Sequence, residues 1–281
     1  MTNILGRLFG KKQGSAPVRD MAALATPLAA PAVHVVKTDA TSLSHFGGSP
    51  SLPPGVSWPE RDGKKLGFLA RLSLSEVHRA HPIDWLPSSG ALLFFYDMEQ
   101  QPWGYDPKDR GSSVVLLVPD LAQAIPQLDA GPDGNVSPFP HRNVSFRRIN
   151  VLPPWERDSV RALQLSEKES DLFSDLADSA FQAEAKHQIS GFPSPVQGDD
   201  MELECQLVTN GLYCGDSAGY NDPRAQALKP GAANWKLLLQ LDSDDDLGVM
   251  WGDCGVLYYW VEEQMARDGN FTNTWLILQC S

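Results

Sequence analysis

The sequence has few cysteines, few basic residues and no long apolar run. Its four cysteines (Cys205, Cys214, Cys254 and Cys280) show no CxxC spacing, which is typical of reduced thiols in a cytoplasmic protein rather than of a disulfide framework. No apolar run approaches the roughly 18 residues of a membrane span, so stable membrane insertion is not expected. The 23 basic residues are outnumbered by 35 acidic ones, for a net charge of -12, and nucleic acid is not expected as a partner.

Sequence motifs of common enzyme classes are also missing. The chain contains no GxGxxG, Walker, GxSxG or HExxH motif, so nucleotide-binding, hydrolase and metalloprotease functions have no support from the sequence. His78 and His81 have the i, i+3 spacing of a helical metal site, but Pro82 follows at once and no third ligand is close in sequence. We therefore expect no cofactor.

Turn-forming and aromatic residues are abundant instead. The 281 residues include 23 glycines, 22 prolines and 8 tryptophans, which indicates a turn-rich protein with β structure. Residues 13–33 are rich in Ala and Pro and lack helical periodicity, so we expect residues 1–33 to form a flexible tail and linker. Residues 34–281 are then expected to form a single domain.

The part of the chain expected to be ordered contains the same succession of segments twice. The first series is HFGGSPSLPPG from His45, LGFLARLSL, SGALLFFYDMEQ and SVVLLV. The second is HQISGFPSPVQ from His187, WKLLLQLDS, CGVLYYWVEEQ and TWLILQC. Each series passes from a turn rich in Gly and Pro through three apolar strands. We expect two tandem β-rich repeats, at about 45–120 and 187–281, which bury a common core.

Between the repeats, residues 121–186 are expected to contain a bridging helix. Ser166, with Glu169 three residues later, has the pattern of a capping box, and an apolar face follows it. Shorter helices are expected at SEVHRA and EEQMAR. The predicted fold class is α+β, with a mainly antiparallel sheet built from the two repeats.

Several of these segments together resemble the YwqG-like family of bacterial proteins. The resemblance rests on FGGSPSLPPG, LGFLARLSL, GFPSPVQ and LLLQLDSDDDLGVMWGDCG. Arg71 and Cys254 depart from the Gln and the small residue that are usual in the family. The resemblance runs from about His45 to the C-terminus and implies a fold built from two similar motifs. It implies no activity, because the family resembles a domain of unknown function.

The acidic segment LDSDDDLGVMWGDCG raises the question of a cation site. Asp242, Asp244 and Asp246 have the 1, 3, 5 spacing of a calcium loop and are the metal-binding candidates. Leu247 stands where an EF-hand loop requires glycine, and the repeat places strands rather than helices on both sides. We favour a solvated turn between two strands, without a metal.

Four residues are candidates for catalysis. His45 and His187 begin the two repeats at matching places, and Asp253 and Cys254 are neighbours in WGDCG. A cysteine nucleophile needs a nearby histidine or other cation, and a general base must lie within hydrogen-bond reach of the proton that it removes. If the protein is an enzyme with its site between the repeats, these side chains are therefore expected to converge. The competing interpretation is two structural histidines in separate turns.

Tryptophans in loops provide a further possibility. Trp58, Trp103, Trp155 and Trp251 lie in segments rich in Gly and Pro, where they can pack on the sheet or line a groove for a carbohydrate or peptide. If the protein binds a carbohydrate or peptide in this way, Trp58, Trp103 and Trp251 are expected to share one exposed cleft.

Of these functions, we expect a cytoplasmic, non-catalytic module that binds a basic protein or a small ligand. The acidic composition favours a basic partner, for example a toxin that an immunity-like protein neutralises. The enzyme and the carbohydrate- or peptide-binding module remain the alternatives.

Overall fold

The computed structural model describes residues 17–127 and 140–281. Within these residues the strands are β1 (Ala30–Lys37), β2 (His45–Phe46), β3 (Ser51–Leu52), β4 (Glu60–Arg61), β5 (Lys64–Lys65), β6 (Gly67–Ser73), β7 (Ala91–Tyr96), β8 (Ser113–Val118), β9 (Ile125–Pro126), β10 (Arg142–Val151), β11 (Gln188–Ile189), β12 (Trp235–Asp242), β13 (Val256–Glu262) and β14 (Trp275–Gln279). The α-helices are α1 (Met21–Ala25), α2 (Leu74–Ala80), α3 (Asp158–Arg161), α4 (Glu167–Ser179), α5 (Met201–Thr209), α6 (Ala218–Asn221), α7 (Ala225–Leu228) and α8 (Glu263–Arg267). Short 3₁₀ helices cover Thr26–Leu28, Pro107–Asp109, Leu121–Gln123 and Lys229–Asn234.

Ten of the described strands form one large sheet. Its order is β14-β13-β12-β11-β1-β10-β2-β6-β7-β8, and neighbouring strands pair antiparallel. β1 and β10 lie at its centre, with Ala30 opposite Val151 and Lys37 opposite Val144. The α+β class with a mainly antiparallel sheet is confirmed.

The sheet curls until its two ends approach each other. The Tyr259 hydroxyl on β13 donates to the Phe95 carbonyl on β7 at 3.0 Å, and the rings of Tyr259 and Phe94 are 5.2 Å apart. Beyond β7, the Trp103 carbonyl accepts a hydrogen bond from the Leu278 amide of β14 at 3.0 Å. The sheet is therefore nearly closed, and the chain itself covers the outer edge of β14.

Apolar side chains fill both faces of the sheet. On β13, Leu257, Tyr259 and Val261 belong to the cluster on the inner face. Tyr258 and Trp260 belong to a second cluster on the outer face, which α5 covers. The division follows from the geometry of a strand, in which successive side chains point to opposite faces. Strand β13 is buried on both sides, which explains its continuous run of large apolar residues.

Most of the predicted strands and helices are confirmed. β6, β7, β8, β12, β13 and β14 occupy the six apolar segments of the two predicted series. Helices α2, α4 and α8 occur where they were predicted, and α4 has the capping box of Ser166 and Glu169.

The structure corrects the expected boundary of the N-terminal tail. Residues 21–33 are not a linker, because α1 packs on α4 and β1 is a central strand of the sheet. Ala32, Val33 and Val35 of β1 are buried on alternating faces of the sheet, so this strand needs no polar alternation. Residues 1–16 of the predicted tail lie outside the described residues. The bridging segment also differs, since it supplies the central strand β10 in addition to α4.

Candidate functional site

A polar cleft of about 740 Å³ lies between the C-terminal ends of β1 and β12, beside the start of β11. The segment before β11 and the acidic turn after β12 complete its wall. Its polar and reactive side chains are His34, Lys37, Glu184, His187, Asp242, Ser243, Asp244, Asp245, Asp246 and Cys254. The cleft thus contains the three metal-binding candidates and two of the four catalytic candidates.

The acidic segment forms a tight turn between β12 and β13. The backbone N–H of Asp244 donates to the Val249 carbonyl at 2.9 Å, and the Val249 N–H donates to the Asp244 carbonyl at 3.1 Å. The Asp244 carboxylate accepts the backbone N–H of Asp246 at 2.9 Å, which closes the turn from inside. The segment is a turn, as we favoured, but Asp244 is buried rather than solvated.

Asp244 is the centre of a charged network. The Lys37 ammonium lies 2.6 Å from each oxygen of its carboxylate and 2.9 Å from an oxygen of Asp246. Burial by itself would raise the pKa of Asp244, but the hydrogen bonds from His187 and Lys37 outweigh burial and hold this pKa well below its usual range. Asp244 is therefore ionised at neutral pH.

The three metal-binding candidates do not surround one point. Asp244 and Asp246 share the Lys37 ammonium, whereas the Asp242 carboxylate accepts the Lys186 backbone N–H at 2.8 Å. Within the described residues, no group of three or more His, Cys, Asp and Glu side chains is placed to hold a metal ion. A side-chain ammonium occupies the position between the two carboxylates that a bound cation would take.

Both ring nitrogens of His187 are engaged. Nδ1 accepts the backbone N–H of Asp242 at 3.0 Å, so the proton of the neutral ring is on Nε2, which donates to Asp244 at 3.0 Å. The edge of the ring packs against Phe46, with centroids 4.9 Å apart. His187 thus ties the start of β11 to the acidic turn and has no free lone pair for a general base.

His34, the other histidine of the cleft wall, is held in the same way. An Arg147 guanidinium nitrogen donates to Nδ1 at 2.9 Å, and Nε2 donates to the Ala185 carbonyl at 2.9 Å. Burial lowers the pKa of His34. The ring is therefore neutral, and its nitrogens are also unavailable for proton transfer.

His45 does not line the cleft. Nδ1 donates to the Gly47 carbonyl at 2.9 Å, and the ring lies 4.3 Å from that of His141. Burial, followed by the charge of Arg71, lowers the pKa of His45 to about 4. His45 is therefore neutral at physiological pH, and its ring stabilises the turn after β2 through the hydrogen bond to Gly47.

His45 and His187 lie at different places relative to their strands. His45 on β2 lies opposite Arg71 of β6, and the residue of β11 that lies opposite Gln240 of β12 is Gln188. His187 precedes that strand.

Asp253 and Cys254 are exposed in the turn before β13. Cys254 has a φ of 50° and reaches the cleft, whereas Asp253 does not line it. The Asp253 carbonyl accepts the Ser281 N–H at 3.0 Å. No hydrogen bond joins Cys254 to a histidine in the described part of the chain. The structure therefore does not bring the four catalytic candidates together.

The loop tryptophans do not share an exposed cleft. Trp58 is buried on the outer face, where its Nε1 donates to the Leu66 carbonyl at 2.8 Å. Trp251 is completely buried on the inner face, and its Nε1 donates to the Asp242 carbonyl at 3.1 Å. Trp103 is 46% exposed. Two of the three tryptophans are thus core residues, and the groove that they were predicted to line is absent from the described structure.

Sequence reasoning missed Lys37, which neutralises part of the acidic turn. Lys37 is the last residue of β1, but its partner Asp244 is 207 residues away along the chain. The only local signal is a basic residue at the end of one apolar strand and acidic residues at the end of another. That signal does not say that the two strand ends are adjacent.

Residues 44–280 match the sequence model of a protein family described as a domain of unknown function (DUF1963). The chain belongs to this family. The DUF1963 match includes β2, β14 and all the strands between them, whereas β1 and Lys37 precede it. A search of curated proteins found no match. Among the described helices, none has the length and apolar character needed to cross a membrane.

Proposed function

We propose that this DUF1963 protein is a non-catalytic binding module whose cleft accepts a basic segment of a partner protein. The observation that carries this proposal is the charge of the cleft wall. The lining residues include five carboxylates (Glu184, Asp242, Asp244, Asp245 and Asp246) and one ammonium group, that of Lys37. Arg147 offsets Glu184 at a distance of 3.7 Å, so the excess negative charge is concentrated on the aspartates of the turn.

The position of Lys37 indicates that the acidic turn binds a primary ammonium group. Its primary ammonium already lies between the carboxylates of Asp244 and Asp246. The Asp246 side chain is 83% exposed and Asp245 is also exposed, so lysine or arginine side chains of a partner can approach both carboxylates from solvent. Exposed charge pairs of this kind mainly increase the association rate and depend on salt concentration.

The two cleft histidines support binding over catalysis. A general base needs a lone pair within reach of its substrate, and both nitrogens of His34 and His187 are used by the protein itself. An immunity-like role, in which the module neutralises a basic toxin, is one form of the proposal. The four unpaired cysteines support a cytoplasmic location.

The proposal includes the YwqG-like assignment, with its two similar motifs. The sheet order is symmetric about the β1–β10 pair, and β6 and β12 each have a register irregularity in the same part of the strand. Positive φ angles follow β2 at Gly47 and Gly48 and follow β11 at Ser190 and Gly191. These correspondences support tandem repeats in which Gln188 is the counterpart of His45.

The binding proposal is tested with a fluorescein-labelled KGKGKGKG peptide and two variants of equal net charge. Asp245→Asn/Asp246→Asn removes exposed carboxylates of the cleft. Asp171→Asn/Asp175→Asn removes two exposed carboxylates of α4 that do not line it. Fluorescence anisotropy at low salt should show binding about tenfold weaker for the cleft variant. The α4 variant should stay within about twofold of the wild type.

Equal weakening in both variants would mean that the peptide responds only to total charge, and the proposed site would be rejected. Absence of binding to the wild-type protein at low salt would reject it as well. Circular dichroism of all three proteins establishes that the comparison is made between folded chains.

A further inference from the structure

A carboxyl group near the start of α5 lies in an unfavourable place for a negative charge. One oxygen of the Glu204 carboxyl group accepts the Tyr220 hydroxyl of α6 at 2.9 Å. The other oxygen, Oε2, is buried and has no hydrogen-bond partner in the described part of the chain. Since Oε2 has neither water nor a donor to stabilise a charge, the arrangement favours the neutral carboxylic acid.

The groups that face Glu204 do not compensate for a charge either. Among the described residues no cation pairs with it, and the nearby guanidinium of Arg157 is already paired with Asp199 and Glu202. The facing titratable groups are hydroxyls, thiols and further carboxylates. They are Tyr105, Tyr220, Cys205, Cys214, Asp199, Asp200 and Glu202.

The elements that pack on α5 bring no further partner for Glu204 within the described chain. They are α6, α7, β12, β14 and the 3₁₀ helix Lys229–Asn234. α7 and β14 contain no charged residue. Lys236 of β12 is paired with Glu263, and Lys229 of the 3₁₀ helix is exposed.

This surrounding makes the packing of α5 sensitive to pH. Burial, together with the charges of Asp200, Glu202 and Asp199, raises the pKa of Glu204 to about 7. If α5 moves away from its neighbours, this pKa returns to the ordinary value of glutamate, about 4.3. Between about pH 4.3 and pH 7 the packed helix therefore holds a proton that the loosened helix releases. The resulting stabilisation is complete below about pH 4.3 and is lost as the pH rises through about 7.

We propose that protonation of Glu204 controls how firmly α5 packs on the outer face of the sheet. The Cys205 thiol and the Trp235 indole lie in the apolar cluster that α5 covers, and they are 0% and 2% exposed. Loss of the Glu204 proton loosens α5 and opens this cluster to solvent. The mechanism is separate from the acidic cleft and does not depend on what that cleft binds.

The test is labelling of the full-length protein with N-ethylmaleimide at pH 5.5 and pH 7.0, with each modified cysteine quantified by mass spectrometry. Cys205 reports on α5, and Cys280, which is buried after β14 beside Gly252, is the internal control. Both thiols become more reactive as the pH rises, so the ratio of their labelling rates isolates the movement of α5. The ratio of Cys205 to Cys280 labelling should increase about tenfold in the wild type. It should stay constant in Glu204→Gln, which keeps an acceptor for Tyr220 but cannot ionise.

Two results of the labelling would overturn the proposal. One is a ratio that does not change with pH in the wild-type protein. The other is an equal increase in folded Glu204→Gln, which would assign the effect to another carboxyl group such as that of Asp199.

If Glu204→Gln does not fold, the ¹³C signal of the Glu204 carboxyl group is titrated in the wild-type protein. A midpoint below about pH 6 would then overturn the proposal. A midpoint above this pH, together with the increase in the labelling ratio, would support it.

Discussion

At His45, a side chain forms a hydrogen bond with the backbone of the turn that follows a very short strand. Nδ1 donates to the Gly47 carbonyl at 2.9 Å, and Gly47 has a φ of 58°. After β11, the Gln188 amide donates to the Ser190 carbonyl at the same distance, and Ser190 has a φ of 63°. A histidine and a glutamine thus make the same contact in turns of the same geometry. His45 therefore has a structural role that glutamine can fill.

His45→Gln should remove part of the acid sensitivity of the fold. The pKa of His45 is lowered to about 4, first by burial and then by Arg71, whereas an unfolded histidine titrates near pH 6.5. As the pH falls from about 6.5 to about 4, the unfolded chain therefore binds a proton that the folded chain does not, and the free energy of unfolding decreases by on the order of 3 kcal/mol. Above pH 7 this contribution to the pH dependence is absent.

Urea unfolding at pH 7.5 and pH 4.5 measures the effect. At pH 7.5 the variant should lie within about 1 kcal/mol of the wild type, because the bond to Gly47 is kept. At pH 4.5 the variant should lose less stability than the wild type. Equal losses in the two proteins would contradict a neutral, buried His45.

Among the elements, the segment after β7 behaves as an extra strand along β14. The Leu278 N–H donates to the Trp103 carbonyl, and Trp275 Nε1 donates to the Gly104 carbonyl at 2.7 Å. Gly104 has a φ of 84°, and a Cβ there would overlap the Leu276 carbonyl oxygen. The contact that brings the two ends of the sheet together therefore requires glycine at this position.

Gly104→Ala and Gly111→Ala form a matched pair that tests this contact. Both glycines have a φ of 84°, but a Cβ at Gly111 would have no atom within 4 Å. Gly111→Ala should cost about 1 kcal/mol through its backbone conformation alone. Gly104→Ala should cost about 3 kcal/mol or more, since the strand must also move away from β14. Chemical unfolding measures both losses, and similar values would contradict the close approach.

The residue patterns of the strands explain which of them could be predicted from the sequence. β7 and β13 were predicted because large apolar residues continue through strands that are buried on both faces. β10 was missed because Arg147 and Arg148 interrupt the apolar alternation of a central strand. β2 and β11 have two residues each, too few for a periodicity to predict them.

The candidate site was harder to predict than the strands. Asp242, Asp244 and Asp246 were identified from their spacing, but spacing describes only one side of the cleft. The partners Lys37 and His187 reach Asp244 because β11 lies between β1 and β12 in the sheet. That order is a tertiary property, and no pattern within a single strand records it.

At the scale of the whole molecule, both predicted repeats contribute to one inner cluster. Leu92 and Phe94 of β7 share this cluster with Leu257 and Tyr259 of β13, and Val33 of the central β1 belongs to it as well. In the described part of the chain, the inner-face residues of both halves thus belong to one cluster. The prediction of a single domain over residues 34–281 therefore implies that the halves unfold together.

Leu92→Ala and Leu257→Ala test this cooperativity from the two halves. Both leucines are almost completely buried, at 2% and 0% exposure, and each substitution should cost about 2–5 kcal/mol. Far-UV circular dichroism and tryptophan fluorescence should report a single urea transition in each variant, with its midpoint lowered and its slope kept. Two transitions in Leu92→Ala, with only one of them moved, would mean that β6–β8 unfold as a separate unit. A shared core does not permit that outcome, because loss of one half would expose the apolar side chains that the other half packs against.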